Sequence, residues 1–111
     1  MDAENAKSQM RKGTLEYCVL LLLRGEEAYT SDIVRKLQEA ELIVVEGTLY
    51  PLLTRLKNGG LLAYQWAESN QGPPRKYYRL TSEGEAVLQE LDGAWKALNE
   101  AIEKIRISKA Q

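Results

Sequence analysis

The chain has 111 residues, 44% hydrophobic and 28% charged, with a single cysteine and no histidine. That is enough for one folded domain with an appended element. It excludes an intrachain disulfide, histidine-based acid–base or triad catalysis, and nearly all zinc sites. Net charge is −1, but residues 1–45 hold six basic and eight acidic groups, residues 46–81 five and two, and residues 82–111 four and six, so a basic island lies between acidic flanks.

The N-terminal segment Met1 to Arg11 is polar and reads as a lead-in that can itself be helical, with no apolar stretch of the kind that precedes a signal cleavage site. Thr14 is placed to cap a first helix running through Leu15–Leu23 and stopped by Gly25, with Glu16 in its first turn. This helix is apolar on nearly every side, so more than one surface must cover it. Cys18 to Leu23 is the longest strictly apolar run, six residues against the roughly 20 needed to span a bilayer. The expectation is a cytoplasmic chain without a membrane segment. Within that run Cys18 reads as a small buried hydrophobe rather than a redox sensor.

Thr30 or Ser31 opens a second helix, in which Ile33, Val34, Leu37 and Ala40 repeat at helical spacing. Leu42–Val45 is a short apolar connector. A third helix begins near Glu46-Gly47-Thr48 and ends at Asn58-Gly59-Gly60. Leu49, Leu52, Leu53 and Leu56 form its buried stripe, and Pro51 is read as lying within its first four or five residues. Its opposite face carries Gly47, Tyr50, Pro51, Thr54 and Lys57. Two strand-like runs follow, Leu61–Ala67 and Arg75–Thr81, joined by the turn-rich Glu68–Pro74. They predict a β-hairpin whose return strand gathers Arg75, Lys76 and Arg79. Tyr77 and Tyr78 alternate, so at least one packs in the core, and Trp66 reads as a structural residue of the hairpin. Ser82 and Glu85 have capping-box spacing at the head of a long helix reaching about Ile107. Leu88, Leu91, Trp95, Leu98, Ile102 and Ile105 are spaced 3, 4, 3, 4, 3, an a/d seam. A helix of about 25 residues extends about 37 Å, more than so small a domain covers. A second copy is the simplest partner for the seam, giving a homodimer; the other reading folds the helix back on its own domain.

The order helix, helix, helix, hairpin, long helix predicts an α+β, mainly α fold. It is a winged helix-turn-helix over residues 1–81, with a long C-terminal dimerisation helix over residues 82–111. In that arrangement the third helix enters the major groove of double-stranded DNA and the hairpin, or wing, straddles the adjacent backbone. Tyr50 and Thr54 offer hydroxyls, Gly47 and Thr48 stand at the positive end of the helix dipole, and Lys57, Arg75, Lys76 and Arg79, with Lys12, supply cations for phosphate. Glu46 is unfavourable beside phosphate, though its carboxylate can accept from a cytosine amino group. In a dimer, two such helices meet successive major grooves of an inverted-repeat operator about 34 Å apart. The two-fold axis brings Trp95 near its mate. The pair either packs plainly or walls a gap suited to a planar aromatic effector.

Three blocks carry a resemblance. Lys12-Gly13-Thr14-Leu15-Glu16, Gly47-Thr48-Leu49-Tyr50-Pro51-Leu52-Leu53-Thr54-Arg55-Leu56, and Arg75-Lys76-Tyr77-Tyr78-Arg79-Leu80-Thr81 with Gly84 resemble the PadR family of bacterial transcriptional regulators, in particular a smaller subgroup with a single C-terminal helix. The likeness spans about residues 10–107. It implies a dimeric, ligand-responsive repressor whose last helix dimerises and whose Trp95 lines a pore at the dimer interface. The chain departs from the family at Ala28-Tyr29-Thr30-Ser31, where Tyr-Gly-Tyr is frequent, and at Pro73-Pro74, where many members carry an arginine. No catalytic set, metal site or cofactor is read from the sequence, and the chain is not expected to be an enzyme. The alternative function for the same elements is a winged-helix protein–protein interaction module without specific DNA binding.

Overall fold

A computed structural model describes residues 2–42, 46–69 and 72–110. In chain order these form α1 (Ala3–Leu22), β1 (Ala28–Tyr29), α2 (Thr30–Glu39), α3 (Glu46–Asn58), β2 (Leu62–Ser69), β3 (Gly72–Leu80) and α4 (Ser82–Ala110). The connector read at Leu42–Val45 lies outside the described residues except for Leu42, as do Asn70 and Gln71 of the hairpin linker.

Helix α1 starts well before Thr14. Its N-cap is Asp2, whose carboxylate accepts from the Asn5 N–H at 2.7 Å, and Thr14 lies inside the helix, donating its hydroxyl to the Arg11 and Met10 carbonyls. The polar lead-in therefore continues the apolar helix as one 20-residue rod. Helix α2 begins at Thr30 as expected, and Asp32 closes its start by accepting from the Tyr29 N–H at 3.1 Å.

Helix α3 buries Leu49, Leu52, Leu53 and Leu56, so the leucine stripe decides its orientation. Pro51 is the sixth residue of α3, deeper than its sequence position suggested. Its ring nitrogen cannot donate to the Gly47 carbonyl, and burial of the four leucines outweighs that loss. Past α3, the Leu61 N–H reaches back to the Leu56 carbonyl at 3.0 Å while Gly60 takes φ +84°. This is a Schellman ending that needs a left-handed residue.

The sheet has a third member that the sequence did not announce. The two residues of β1 pair antiparallel with β3, Ala28 opposite Tyr78 and Tyr29 opposite Tyr77, giving the order β1-β3-β2. The hairpin is also longer than expected. Its pairing runs from Leu62–Leu80 to Ser69–Gly72, with an irregularity between Ala67 and Ser69. Pro73 and Pro74 fall within β3 opposite that irregularity, where a strand tolerates residues lacking an N–H donor.

Thr81, not Ser82, caps α4. Its hydroxyl oxygen accepts from the Gly84 N–H at 3.0 Å and donates to the Gly60 carbonyl at 2.6 Å, tying the end of α3 to the start of α4. The core gathers Val19, Leu20 and Leu23 of α1 and its end, Ile33, Val34 and Leu37 of α2, the α3 leucines, Leu62, Tyr78 and Leu88. Only the first turns of α4 join it: Gly84 and Leu88 are its buried residues. Beyond, the helix leaves the globule. The radius of gyration is 16.5 Å and the longest extent 61 Å, against about 13 Å for the radius of a compact domain this long.

Candidate nucleic-acid interface

The two-residue period of a strand sorts the wing into two faces. Leu62 with Leu80, Tyr64 with Tyr78, and Trp66 with Lys76 are cross-strand partners on one face. Burial falls off along it: Leu62 and Tyr78 are in the core, Tyr64 is half-buried, and Trp66 is exposed. Gln65 with Tyr77 and Ala67 with Arg75 lie on the other face. Of the two alternating tyrosines Tyr78 enters the core, and burial raises its phenol above the ordinary tyrosine value, with Tyr64 and Tyr50 adding to the shift. Tyr77 instead stacks on Tyr29 across the β1–β3 pairing, ring centres 4.7 Å apart.

Each face holds a cation over aromatic rings. The Lys76 Nζ lies 4.6 Å from the Tyr64 ring centre and 5.6 Å from that of Trp66. The Arg75 guanidinium lies 4.5 Å over Tyr29, and the Lys57 Nζ of α3 lies 5.7 Å from the Tyr64 ring centre. Among the described residues none of these three cations has a carboxylate partner. Several cations elsewhere do: Arg24 pairs with Asp92, Lys36 with Glu26, Arg35 with Glu39, and Arg55 with Glu16. An ammonium resting on a ring keeps its full charge for an incoming anion, whereas one paired with a carboxylate must give up that pair first.

Between the wing and α3 runs an open groove of about 290 Å³. Tyr50 and Thr54 of α3, Thr30 and Ser31 of α2, and Trp66, Pro74, Arg75, Lys76 and Tyr78 of the wing line it. The expected residues Tyr50, Thr54, Arg75 and Lys76 thus meet in one place, with Tyr50 52% exposed. Lys12 and Thr48 meet in a second cleft, between α1 and α3, together with Gly13, Leu15, Glu16, Leu52 and Arg55. There Arg55 donates through Nε and a terminal nitrogen to one Glu16 oxygen, at 3.2 and 2.7 Å, fastening α3 to α1. Gly47 is exposed in the first turn of α3. Thr30, Ser31 and Trp66 had not been expected in the groove. The two hydroxyl residues read first as helix-opening residues. For Trp66 the signal was its spacing two residues beyond Tyr64 and four beyond Leu62, on the α3 side of the hairpin.

The remaining expected residues lie on α4, away from the groove. Leu88 is buried in the chain's own core and Leu91 is half-buried against it, whereas Trp95, Leu98, Ile102 and Ile105 are 42%, 52%, 42% and 64% exposed. Trp95 stands beside Tyr17 of α1, ring centres 6.3 Å apart. One turn earlier, Asp92 accepts from the Tyr17 hydroxyl at 2.6 Å and pairs with Arg24. The hydrogen bond from Tyr17, followed by Arg24, holds the Asp92 carboxyl below the usual carboxylate range, and the same bond raises the Tyr17 phenol. Burial pushes the Cys18 thiol up, the opposite of what a reactive thiolate needs. Among the described residues no cluster of histidine, cysteine or acidic side chains could hold a metal ion, and no helix is long and apolar enough to cross a membrane.

Residues 19–90 match the family described as Transcriptional regulator PadR-like. Among solved structures, the chain is similar to a PadR-like transcription factor from Bacteroides fragilis (68% identity, TM-score 0.78, covering 91% of this chain and 98% of that one). It is also similar to a PadR family transcriptional regulator from Eggerthella lenta (38% identity, TM-score 0.85, 92% and 89%). A third likeness is to Bacillus subtilis PadR in complex with operator DNA (26% identity, TM-score 0.64, 69% and 45%).

Proposed function

From the premise that the chain belongs to the PadR-like family of transcriptional regulators, and so acts by regulating transcription rather than as an enzyme, we propose that it is a dimeric, cytoplasmic repressor. It binds an inverted-repeat operator with α3 in the major groove and the wing against the adjacent backbone. The observation that carries this reading is the set of ring-seated cations Lys57, Arg75 and Lys76 beside the exposed Tyr50 and Thr54. Charge is concentrated and unspent where a phosphate backbone would run, although the whole chain is slightly acidic. Lys12, Gly47 and Thr48 at the α1–α3 cleft extend the contact to the start of the recognition helix, and the relative bound to operator DNA supports the same use of the fold.

Residues 1–81 form the DNA-binding unit in this reading and 82–111 the dimerisation helix. The first turns of α4 belong physically to the globule. The half-buried Leu91 borders it, and the self-pairing surface continues through Leu98, Ile102 and Ile105. Trp95, exposed at the root of that surface and flanked by Tyr17, is proposed to wall a site for a planar aromatic effector, as in the small subgroup that the sequence resembles.

A gel-shift against the duplex upstream of the chain's own coding sequence tests the reading. The expected result is a shift that weakens steeply with salt and is reversed by a member of a panel of planar aromatic compounds. Absence of any shift at low salt would favour the protein-interaction module instead.

A further inference from the structure

Trp66 has no evident duty in the fold. It is 62% exposed and does not belong to the residues packed against the core, which include its neighbour Tyr64. Nor is it needed to seat Lys76, whose ammonium lies closer to Tyr64 than to Trp66. Yet its ring is held: it stands edge-on to Tyr64, centres 5.8 Å apart at 87°, and lines the groove shared with Tyr50, Thr54 and Lys76. An exposed apolar plate that is already oriented gives up little conformational freedom on binding.

We propose that Trp66 is a DNA-contacting residue, packing its indole on the deoxyribose edges of the strand that passes between α3 and the wing. This rests on the DNA-binding reading above. With α3 in the major groove and the wing over the next backbone, one phosphodiester strand must run through the groove between them. Such a strand presents two chemistries, anionic phosphate oxygens and the apolar C–H edges of its sugars. Lys76 and Arg75 answer the first and Trp66 answers the second. A sugar contact is blind to base identity and sensitive to the path of the backbone, so Trp66 contributes shape-dependent affinity rather than base reading.

The two chemistries separate in salt. Replacing a phosphate-binding lysine flattens the dependence of log affinity on log salt by about one, whereas removing an apolar contact releases no counterion and leaves the slope alone. Trp66→Ala is therefore expected to weaken binding to the upstream duplex by about tenfold or more, the scale of a truncated interface aromatic, with an unchanged salt slope. Lys76→Ala is expected to flatten the slope. Trp66→Phe, which keeps a ring, is expected to retain most of the affinity and guards against loss of the fold. The tryptophan emission that Trp66→Phe lacks is expected to change on adding the duplex to the wild type. Wild-type affinity in Trp66→Ala overturns the inference, as does a loss that appears wholly as a flattened slope. Wild-type protein that binds no duplex instead overturns the DNA-binding reading, together with this contact.

Discussion

At Gly84 the chain has no room for a side chain. A β-carbon there would stand 2.1 Å from the Leu61 carbonyl oxygen and 3.1 Å from a Leu80 methyl. That carbonyl accepts the Thr81 N–H, so it is not free to swing away. Gly93, two and a half turns along the same helix, has nothing within 4 Å. The same substitution should therefore act with opposite signs. Gly93→Ala is expected to stabilise the chain by up to about 1 kcal/mol through helix propensity. Gly84→Ala is expected to cost about 1–3 kcal/mol or more, as overpacked cores do. Thermal or denaturant melts of the two variants would show it, and equal behaviour would mean that α4 docks less closely than described. The cations of the wing teach a related lesson about residues. Arg75 and Lys76 are adjacent in sequence yet sit on opposite faces over different rings, because a strand alternates.

Among elements, the junction of α1 with α4 has a pH signature. Asp92 is held below the ordinary carboxylate value by Tyr17 and Arg24, so its contribution is complete above the unfolded-state value and is lost as pH falls through the depressed one. Tyr17, raised by the same bond, contributes below the ordinary phenol value and loses its part as pH rises through the higher one. Asp92→Asn is thus expected to lower the melting temperature most between these limits, with the difference from wild type closing in acid. A difference constant with pH would show that the carboxylate charge does not matter. How far these elements could be read beforehand follows from their physics. The leucine stripe of α3 is a periodic burial pattern and appears where the spacing put it, whereas the 3-4 spacing of α4 gives a buried Leu88 and a half-buried Leu91 and then side chains that stay exposed. The first ten residues of α1 bury almost nothing, so no stripe marks them; they hold as helix through the Asp2 cap and their continuity with the apolar half. Strand β1 is two residues long, too short to alternate, and exists only because β3 offers it an edge. Thr81 and Ser82 are neighbouring hydroxyls between which sequence gives no choice. The cation–ring seats needed the hairpin register, and that depends on the irregularity at Ala67 and Ser69.

At the scale of the whole molecule, the distal half of α4 carries the surface on which the proposed dimer rests. Helix α4 is 29 residues long, about 43 Å at 1.5 Å per residue, and its large apolar side chains beyond Leu91 are exposed. Leu98→Glu and Ile102→Glu are expected to yield monomers in sedimentation experiments, since burying an unpaired charge in a dimer seam costs several kcal/mol. The melting of the winged helix should change little, because neither side chain takes part in its packing. A wild type that sediments as a monomer at micromolar concentration would refute the dimer. If the proposed dimer binds as described, a monomeric variant also loses DNA affinity, because it carries one α3 and cannot engage two half-sites at once.

The unbroken run of α1 has a mechanical consequence. It carries Lys12, which shares a cleft with Thr48 at the head of α3, and Tyr17, bonded to Asp92 of α4. The two are five residues apart, about 7.5 Å along a helix axis, on a segment whose backbone bonds are all internal. Such a segment behaves as a shaft. A twist or tilt that the C-terminal arm imposes on Tyr17 arrives at Lys12 through nearly the same angle, without a succession of side chains rearranging in between. Residues 13–16 then matter to this transmission chiefly through the stiffness of the helix they form.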